Sequence, residues 1–435
     1  MNPLRQLSTA ISTCRTPSAG TTAARIMASI FVLIVLFAQF LPAQTFTVLH
    51  NLSTSQGVNP VAGLSMDRAG NLYGTASGGG NFGGTCGNFG CGTVFKLTRA
   101  GSGWILNVLH AFTGGADGAG PYARVVFGPN GILYGTTAAG GQGVQATVFS
   151  IRPPASPCLT ALCPWSETVL YRFTGGADGN TPNYGDVVFD QAGNLYGVTL
   201  KGGAYNLGVV YELTHSGGGW TETVMHDFAG NGQGNNDGSS PYGGLVIDNS
   251  GKLYGTTQSG GANSYGAVYR LTPVGAGWTE DILHSFDFAT EGGLPWGAPV
   301  LDASGNLLGA TSSFGLDGGG TLFELTSTGG LWSFSVPYAF AGNGSEYQGP
   351  LAALTMDAAG NLYGTTLYNG AYAHGTVFKL TPSNGGWTYT DLHDFTGGDD
   401  GEYPYSNVIL DASGNLYGTA QGGTTGAGLI WEIAQ

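Results

Sequence analysis

Gly70-Asn71-Leu72-Tyr73-Gly74-Thr75 is the stretch that decides the fold, because the chain repeats it seven times. It returns with its first glycine at Gly131, Gly193, Gly251, Gly305, Gly360 and Gly414, at spacings of 61, 62, 58, 54, 55 and 54 residues. A period in this range signals a repeat architecture, so the unit has to be read before any single residue.

Each unit holds four apolar runs separated by turn residues. In the fourth they are Gly244–Asp248, Leu253–Thr256, Gly266–Thr272 and Trp278–Phe286. Short aromatic and β-branched runs bounded by Gly, Asn, Asp and Pro write strands and hairpins. An Asp stands three residues before the repeat glycine at Asp67, Asp190, Asp248, Asp302, Asp357 and Asp411; the second unit has Gly128 instead. Such an Asp can accept from backbone N–H groups ahead of it, while the glycine takes the positive φ of a tight turn. The fourth run is a ruler: Trp104–Phe112, Trp165–Phe173, Trp220–Phe228, Trp278–Phe286, Trp332–Phe340 and Trp387–Phe395 are all eight apart. Strict alternation predicts that both rings of a pair lie on one face of the strand.

The last unit ends with its third run, Leu429–Ile433, while an unmatched fourth run, Phe46–Leu52, stands near the other terminus. A strand borrowed across the termini would complete the last sheet and leave no bare edge. The predicted fold is all-β: a seven-bladed β-propeller with four antiparallel strands per blade, closed by the N-terminal strand, occupying residues 45–435 as a single domain.

Residues 1–44 are of another kind. Arg5, Arg15 and Arg25 precede the apolar run Ile30–Phe37, and Ala43 and Gln44 follow it. This is the layout of a signal peptide cut near Ala43 or Gln44, which predicts export to the periplasm, the cell surface or the medium. The alternative is an uncleaved membrane anchor, since residues 26–43 supply 18 residues. The leader takes three of the 13 basic residues and none of the 27 acids, leaving 10 against 27 and a formal charge of −17. Such a chain repels phosphate backbones, which excludes nucleic acid as a partner. Cys86 with Cys91 and Cys158 with Cys163 form two local pairs, expected as short disulfides in an exported chain.

At Gly92–Thr98, Phe112–Gly118 and Asp67–Thr75 the chain resembles the GloVer tandem-repeat proteins, an exported bacterial family called choice-of-anchor because its members end in differing surface-attachment signals. The resemblance covers essentially everything after residue 45. It implies export and a propeller, and implies no activity. The chain departs from the family pattern in reaching Gln435 without an anchor signal, and in placing Leu308 where the other units have Tyr.

Candidate chemistry must be weighed against this periodicity. His50, His110, His226, His284 and His393 hold the same place in five of the fourth runs, which predicts structural histidines spread around a rim. Gly78, Gly80 and Gly83 fit G-x-G-x-x-G, but no helix follows, so a dinucleotide site is not expected. Neither H-E-x-x-H nor G-x-S-x-G occurs. Asp117, Asp178, Asp237 and Asp400 precede glycines in the loops between blades, as calcium ligands or as ordinary turn residues. Nine residues before each repeat glycine stand Val61, Tyr122, Tyr184, Tyr242, Trp296, Leu351 and Tyr405, five of them aromatic. They would ring one mouth of the central channel, where flat rings suit a sugar or a peptide; packing between blades is the plainer reading.

The expected function is therefore a non-catalytic binding or scaffold protein, monomeric, without a cofactor unless calcium, taking glycan or protein through that aromatic mouth. The competing expectation is a carbohydrate-active propeller enzyme, such as a lyase, lactonase or glycoside hydrolase, in which Asp186, Glu346 and Glu402 would converge.

Overall fold

A computed structural model of the protein describes residues 44–140, 146–154, 165–233, 236–275, 277–342, 346–384 and 386–435. The Cys158–Cys163 pair and all but the last residue of the expected leader lie outside these. Thr45–Ala434 form one compact unit with no α-helix among the described residues.

Seven four-stranded antiparallel sheets stand in a ring. The first blade runs outward through Ser65–Met66, Leu72–Ala76, Thr93–Ala100 and Gly103–Ala111, and five more follow the same order. The seventh combines Ile409–Leu410, Leu416–Ala420 and Leu429–Ala434 with Thr45–Asn51 from the other end of the chain. Thr45 pairs with Ala434, Thr47 with Glu432 and His50 with Ile430, so the ring closes as the unmatched run predicts.

The repeated phrase does three jobs. Its first glycine turns the chain, with φ from 68° at Gly131 to 88° at Gly193. Asp67 Oδ1 accepts from the Ala69 and Asn71 amides at 2.9 Å, and Oδ2 accepts from Asn71 Nδ2 and the Tyr73 hydroxyl at 2.7 and 3.0 Å. Burial opposes the charge of Asp67, but these donors outweigh it and hold its carboxyl below the usual range. The second glycine lies opposite an aromatic ring of the third strand: Gly74 pairs with Phe95, Gly197 with Tyr211, Gly255 with Tyr269 and Gly418 with Trp431. A Cβ on Gly74 would sit 2.6 Å from Phe95 Cζ, so the ring occupies the space the glycine leaves.

The closing residue of the phrase ties blades together. Thr75 Oγ1 donates to the Ala123 carbonyl of the next blade at 3.0 Å. Thr256 donates to Gly297, Thr365 to Ser406 and, across the closure, Thr419 to Ala62, at 2.9, 2.9 and 3.1 Å. Val198 and Ala310 lack the hydroxyl.

The eight-residue ruler behaves differently from simple alternation. Trp165 packs in the same core cluster as Phe112 of the preceding blade. Trp220 likewise meets Phe173, Trp278 meets Phe228, and Trp332 meets Phe286. The two rings of one outer strand thus face opposite neighbours. The cause is a β-bulge. His110 pairs with Val94 and Val108 with Phe95, leaving Leu109 as an extra residue that turns the end of the strand over. Equivalent shifts occur in the outer strands of the other blades. Phe112, Phe228, Phe286 and Phe395 are completely buried, whereas the tryptophans are only partly so.

Candidate functional site

The loop face carries the connections between blades and those between second and third strands, which bridge one another at Ala119–Ala139, Asn180–Lys201 and Glu402–Gln421. Each interblade loop ends in a proline: Pro60, Pro121, Pro182, Pro241, Pro295, Pro350 and Pro404. The residue before it takes a positive φ in six of the seven, at Gly120 and at the non-glycine positions Asn59, Thr181, Ser240, Leu294 and Tyr403. This conformation costs of order 1–3 kcal/mol per residue and collects at functional surfaces. It delivers the chain to the channel mouth, where the residue after the proline is Val61, Tyr122, Tyr242, Trp296, Leu351 or Tyr405. The third blade inserts Asn183, so Tyr184 follows one place later.

The five predicted aromatics are all half-buried at this mouth. Four of them pack on one another. The Tyr242 and Trp296 rings stack at 4.2 Å, Tyr184 lies 5.5 Å from Tyr242 and 5.9 Å from Trp296, and Tyr122 lies 5.4 Å from Tyr184. Tyr347, which the repeat does not mark, meets Trp296 edge-on at 5.5 Å. Burial pushes the Tyr184 hydroxyl above its ordinary range, with the neighbouring Tyr122, Tyr242 and Tyr405 adding to it. Burial and Tyr368 push Tyr405 up to about 12. Two polar atoms in the cluster are buried without a hydrogen-bond partner: the indole Nε1 of Trp296 and Oδ1 of Asn183.

Tyr122, Tyr184, Trp296 and Tyr405 line a channel cavity of about 410 Å³. Two residues beyond the aromatics, the wall is formed by Gly63, Arg124, Asp186, Gly244, Ala298, Ala353 and Asn407. Arg124 donates from Nε to Asp186 Oδ2 at 2.9 Å and from its backbone amide to Oδ1 at 3.0 Å. Among the described residues, Asp186 is the single carboxylate of the lining. Of the other two acids expected to meet it, Glu402 pairs with His374 at 3.1 Å and Glu346 is exposed beside Tyr347. The three have separate surroundings.

The loop aspartates also stand apart, one per blade. Asp117 accepts from the Thr113 amide at 2.8 Å, from the Thr113 hydroxyl and from His110 Nε2 at 3.3 Å. Asp178 does the same with Thr174 and the Tyr171 hydroxyl, and Asp400 with Thr396 and His393. Asp237 takes the Ala229 amide at 2.7 Å and faces His226. The rim histidines are therefore loop anchors as well as packing groups. Cys86 and Cys91 form the expected disulfide, their Cα atoms 5.3 Å apart.

One rim position escaped the reading of the sequence. The residue two after each outer-strand Trp faces the His or Tyr of the preceding blade. Phe334 stacks on His284 at 3.6 Å and Phe46, in the equivalent place, on His393 at 3.7 Å. Tyr389 takes the place against Tyr338, Leu106 holds it in the first blade, and the other three blades carry Glu167, Glu222 and Glu280, each with a buried Oε1. Burial and the Asp117 charge push Glu167 up to about 7, and burial with Asp178 does the same for Glu222. The Trp-x-Glu spacing was visible, but not what it faces.

No curated protein matches the chain. Among solved structures, a Thermus thermophilus protein assigned as an oxidoreductase (glucose dehydrogenase) is 14% identical, with a TM-score of 0.45, over 90% of this chain and 100% of its own. A protein of unknown function from Dyadobacter fermentans is 10% identical, with a TM-score of 0.46, over 90% and 99%. Likenesses this distant carry no argument about activity. The profile of the Gloeobacter/Verrucomicrobia repeat matches four overlapping stretches, residues 35–183, 86–300, 164–346 and 276–435. With these stretches spanning the seven phrases and the seven blades, the chain belongs to the Gloeobacter/Verrucomicrobia repeat family.

Proposed function

We propose that the chain is an exported, monomeric, non-catalytic binding protein that takes a glycan at the aromatic mouth of its channel. The observation that carries this reading is the stack of Tyr184, Tyr242 and Trp296 beside a cavity of about 410 Å³. Sugar rings present apolar C–H faces to aromatic planes, and their hydroxyls both donate and accept. The tyrosine hydroxyls and the Asn407 amide of the lining supply partners of both kinds. Export rests on the basic–apolar leader and on the short disulfide.

The enzymatic reading has weaker support. Glycoside hydrolysis ordinarily uses two carboxylates flanking the scissile bond, and among the described residues this lining offers Asp186 alone, held by Arg124. The test is a glycan array probed with residues 45–435, followed by Trp296→Ala and Tyr242→Ala. Loss of at least about tenfold in affinity for the glycans retained by the wild type is expected. Binding that survives both substitutions would remove the site, and turnover of a bound glycan would replace the binding reading with the enzymatic one.

A further inference from the structure

His226, Asp237 and Glu280 meet at the rim between the third and fourth blades, away from the channel mouth. His226 closes the outer strand Gly219–Asp227, Asp237 lies in the loop that follows, and Glu280 projects from the next blade's outer strand Gly277–Ser285. Their ligand atoms all lie within 4.8 Å of one another, and no other such trio of His, Cys, Asp or Glu occurs among the described residues.

The distances are informative. His226 Nε2 lies 3.3 Å from Asp237 Oδ2 and 3.4 Å from Glu280 Oε1. His226 Nε2 also lies 3.4 Å from Asp237 Oδ1. These contacts, like His110–Asp117 at 3.3 Å, are longer than the usual distance of about 2.9 Å for a hydrogen bond. His284–Glu291, the related pair one blade on, closes to 2.8 Å. Ligands held about 2.1 Å from a four-coordinate zinc ion are separated by about 3.4 Å along each tetrahedral edge. The His226 contacts have that length.

The chemistry of the donors agrees. Asp237 is only 2% exposed, and its Oδ2 accepts the Ala229 amide at 2.7 Å, which fixes the carboxylate in place. Glu280 is mostly buried, and burial together with the neighbouring Asp237 raises its carboxyl pKa, while its Oε1 faces His226. Two carboxylates enclosed together repel unless a proton or a cation lies between them. Burial opposes the His226 charge, but Asp237 and Glu280 outweigh it and raise its pKa, and a divalent ion would take that neutralising place. The equivalent rim position stacks a Phe on the histidine in the fifth and seventh blades, so a carboxylate here is not required by packing. The first and second blades bring together His110, Asp117 and Glu167, but not within the same reach.

We infer that His226, Asp237 and Glu280 form a divalent transition-metal site, with zinc as the fitting ion and the fourth position open to solvent or a ligand. One imidazole and two carboxylates suit zinc, whereas calcium asks for six to eight oxygens.

The experiment uses tag-free protein of residues 45–435, stripped with chelator and titrated with zinc chloride by calorimetry. One zinc per chain is expected, together with a rise in the unfolding midpoint on loading. Glu280→Gln keeps the volume and removes the charge, and His226→Gln removes the nitrogen. Each is expected to weaken zinc at least about tenfold, while His284→Gln, at the pair without a third ligand, leaves it unchanged. Cobalt gives an independent readout, since a four-coordinate site produces intense visible absorption that Glu280→Gln would abolish. Failure of the wild type to bind zinc would overturn the inference, and so would zinc bound equally by Glu280→Gln and His226→Gln. Neither outcome bears on the aromatic mouth.

Discussion

Gly74→Ala probes the packing rule inside the repeated phrase. Gly74 is an ordinary strand residue opposite Phe95, so alanine suffers no backbone penalty there. Its Cβ would lie 2.6 Å from Phe95 Cζ, 2.9 Å from Phe95 Cε2 and 2.8 Å from Leu64 Cδ2, and both neighbours are fully buried. Overpacking of this kind costs about 1–3 kcal/mol, and the enclosed ring places the expected loss near the upper end. Phe95→Leu alone opens a small cavity and is expected to cost roughly 1–2 kcal/mol, below the 3–5 kcal/mol of a full truncation to Ala. In the double variant the shorter side chain makes room for the methyl. The two losses should then fall short of additivity by at least about 1 kcal/mol. Gly70→Ala is the control: Gly70 has φ 79° and no atom within 4 Å of its Cβ position. Its penalty of about 1–2 kcal/mol is conformational and should add to that of Phe95→Leu. Urea unfolding followed by Trp fluorescence gives the energies, with the midpoint compared at constant slope. A neutral Gly74→Ala, or a double variant additive within about 0.5 kcal/mol, would refute the argument.

Two further outcomes test other parts of the ring. Glu167 has its folded pKa raised to about 7, above the ordinary carboxyl range, by burial and Asp117. Its contribution is therefore fully present below about pH 4 and lost as pH rises through about 7, so Glu167→Gln should stabilise the protein at pH 8 and give no such gain at pH 4, as read from unfolding midpoints at the two values. Closure predicts that residues 52–435, lacking Thr45–Asn51, expose the edge of Leu429–Ala434 beside the buried Trp431 and self-associate in light scattering, whereas residues 45–435 stay monomeric. Monomeric behaviour of the shortened chain would mean that the borrowed strand is dispensable.

The propeller and its closure were legible because they depend on spacing and counting. Seven phrases and one displaced run suffice, and local turn chemistry at Asp67 and its equivalents repeats them. The facing of Trp and Phe was not legible. It turns on the one extra residue at Leu109 and its counterparts, which a period-two rule cannot see until the partner strand is known. The aromatic mouth was half legible. Its position followed from the phrase, but the stacking of Tyr242 on Trp296 and the reach of Tyr184 depend on the inserted Asn183 and on how far each loop leans inward. The prolines ten residues before most repeat glycines were an unread signal for that geometry. The rim carboxylates were illegible because Glu280 meets His226 only across two blades, 54 residues apart in sequence.

The bulge has a consequence for how such a ring is inherited. Since six of the seven outer strands present a Trp backward and a Phe forward, one unit carries both halves of a head-to-tail joint. A duplicated unit would arrive ready to dock on its own copy, with no new interface to invent. The number of copies is then limited by the wedge angle between neighbours rather than by recognition, which leaves the loops on one rim free to diverge.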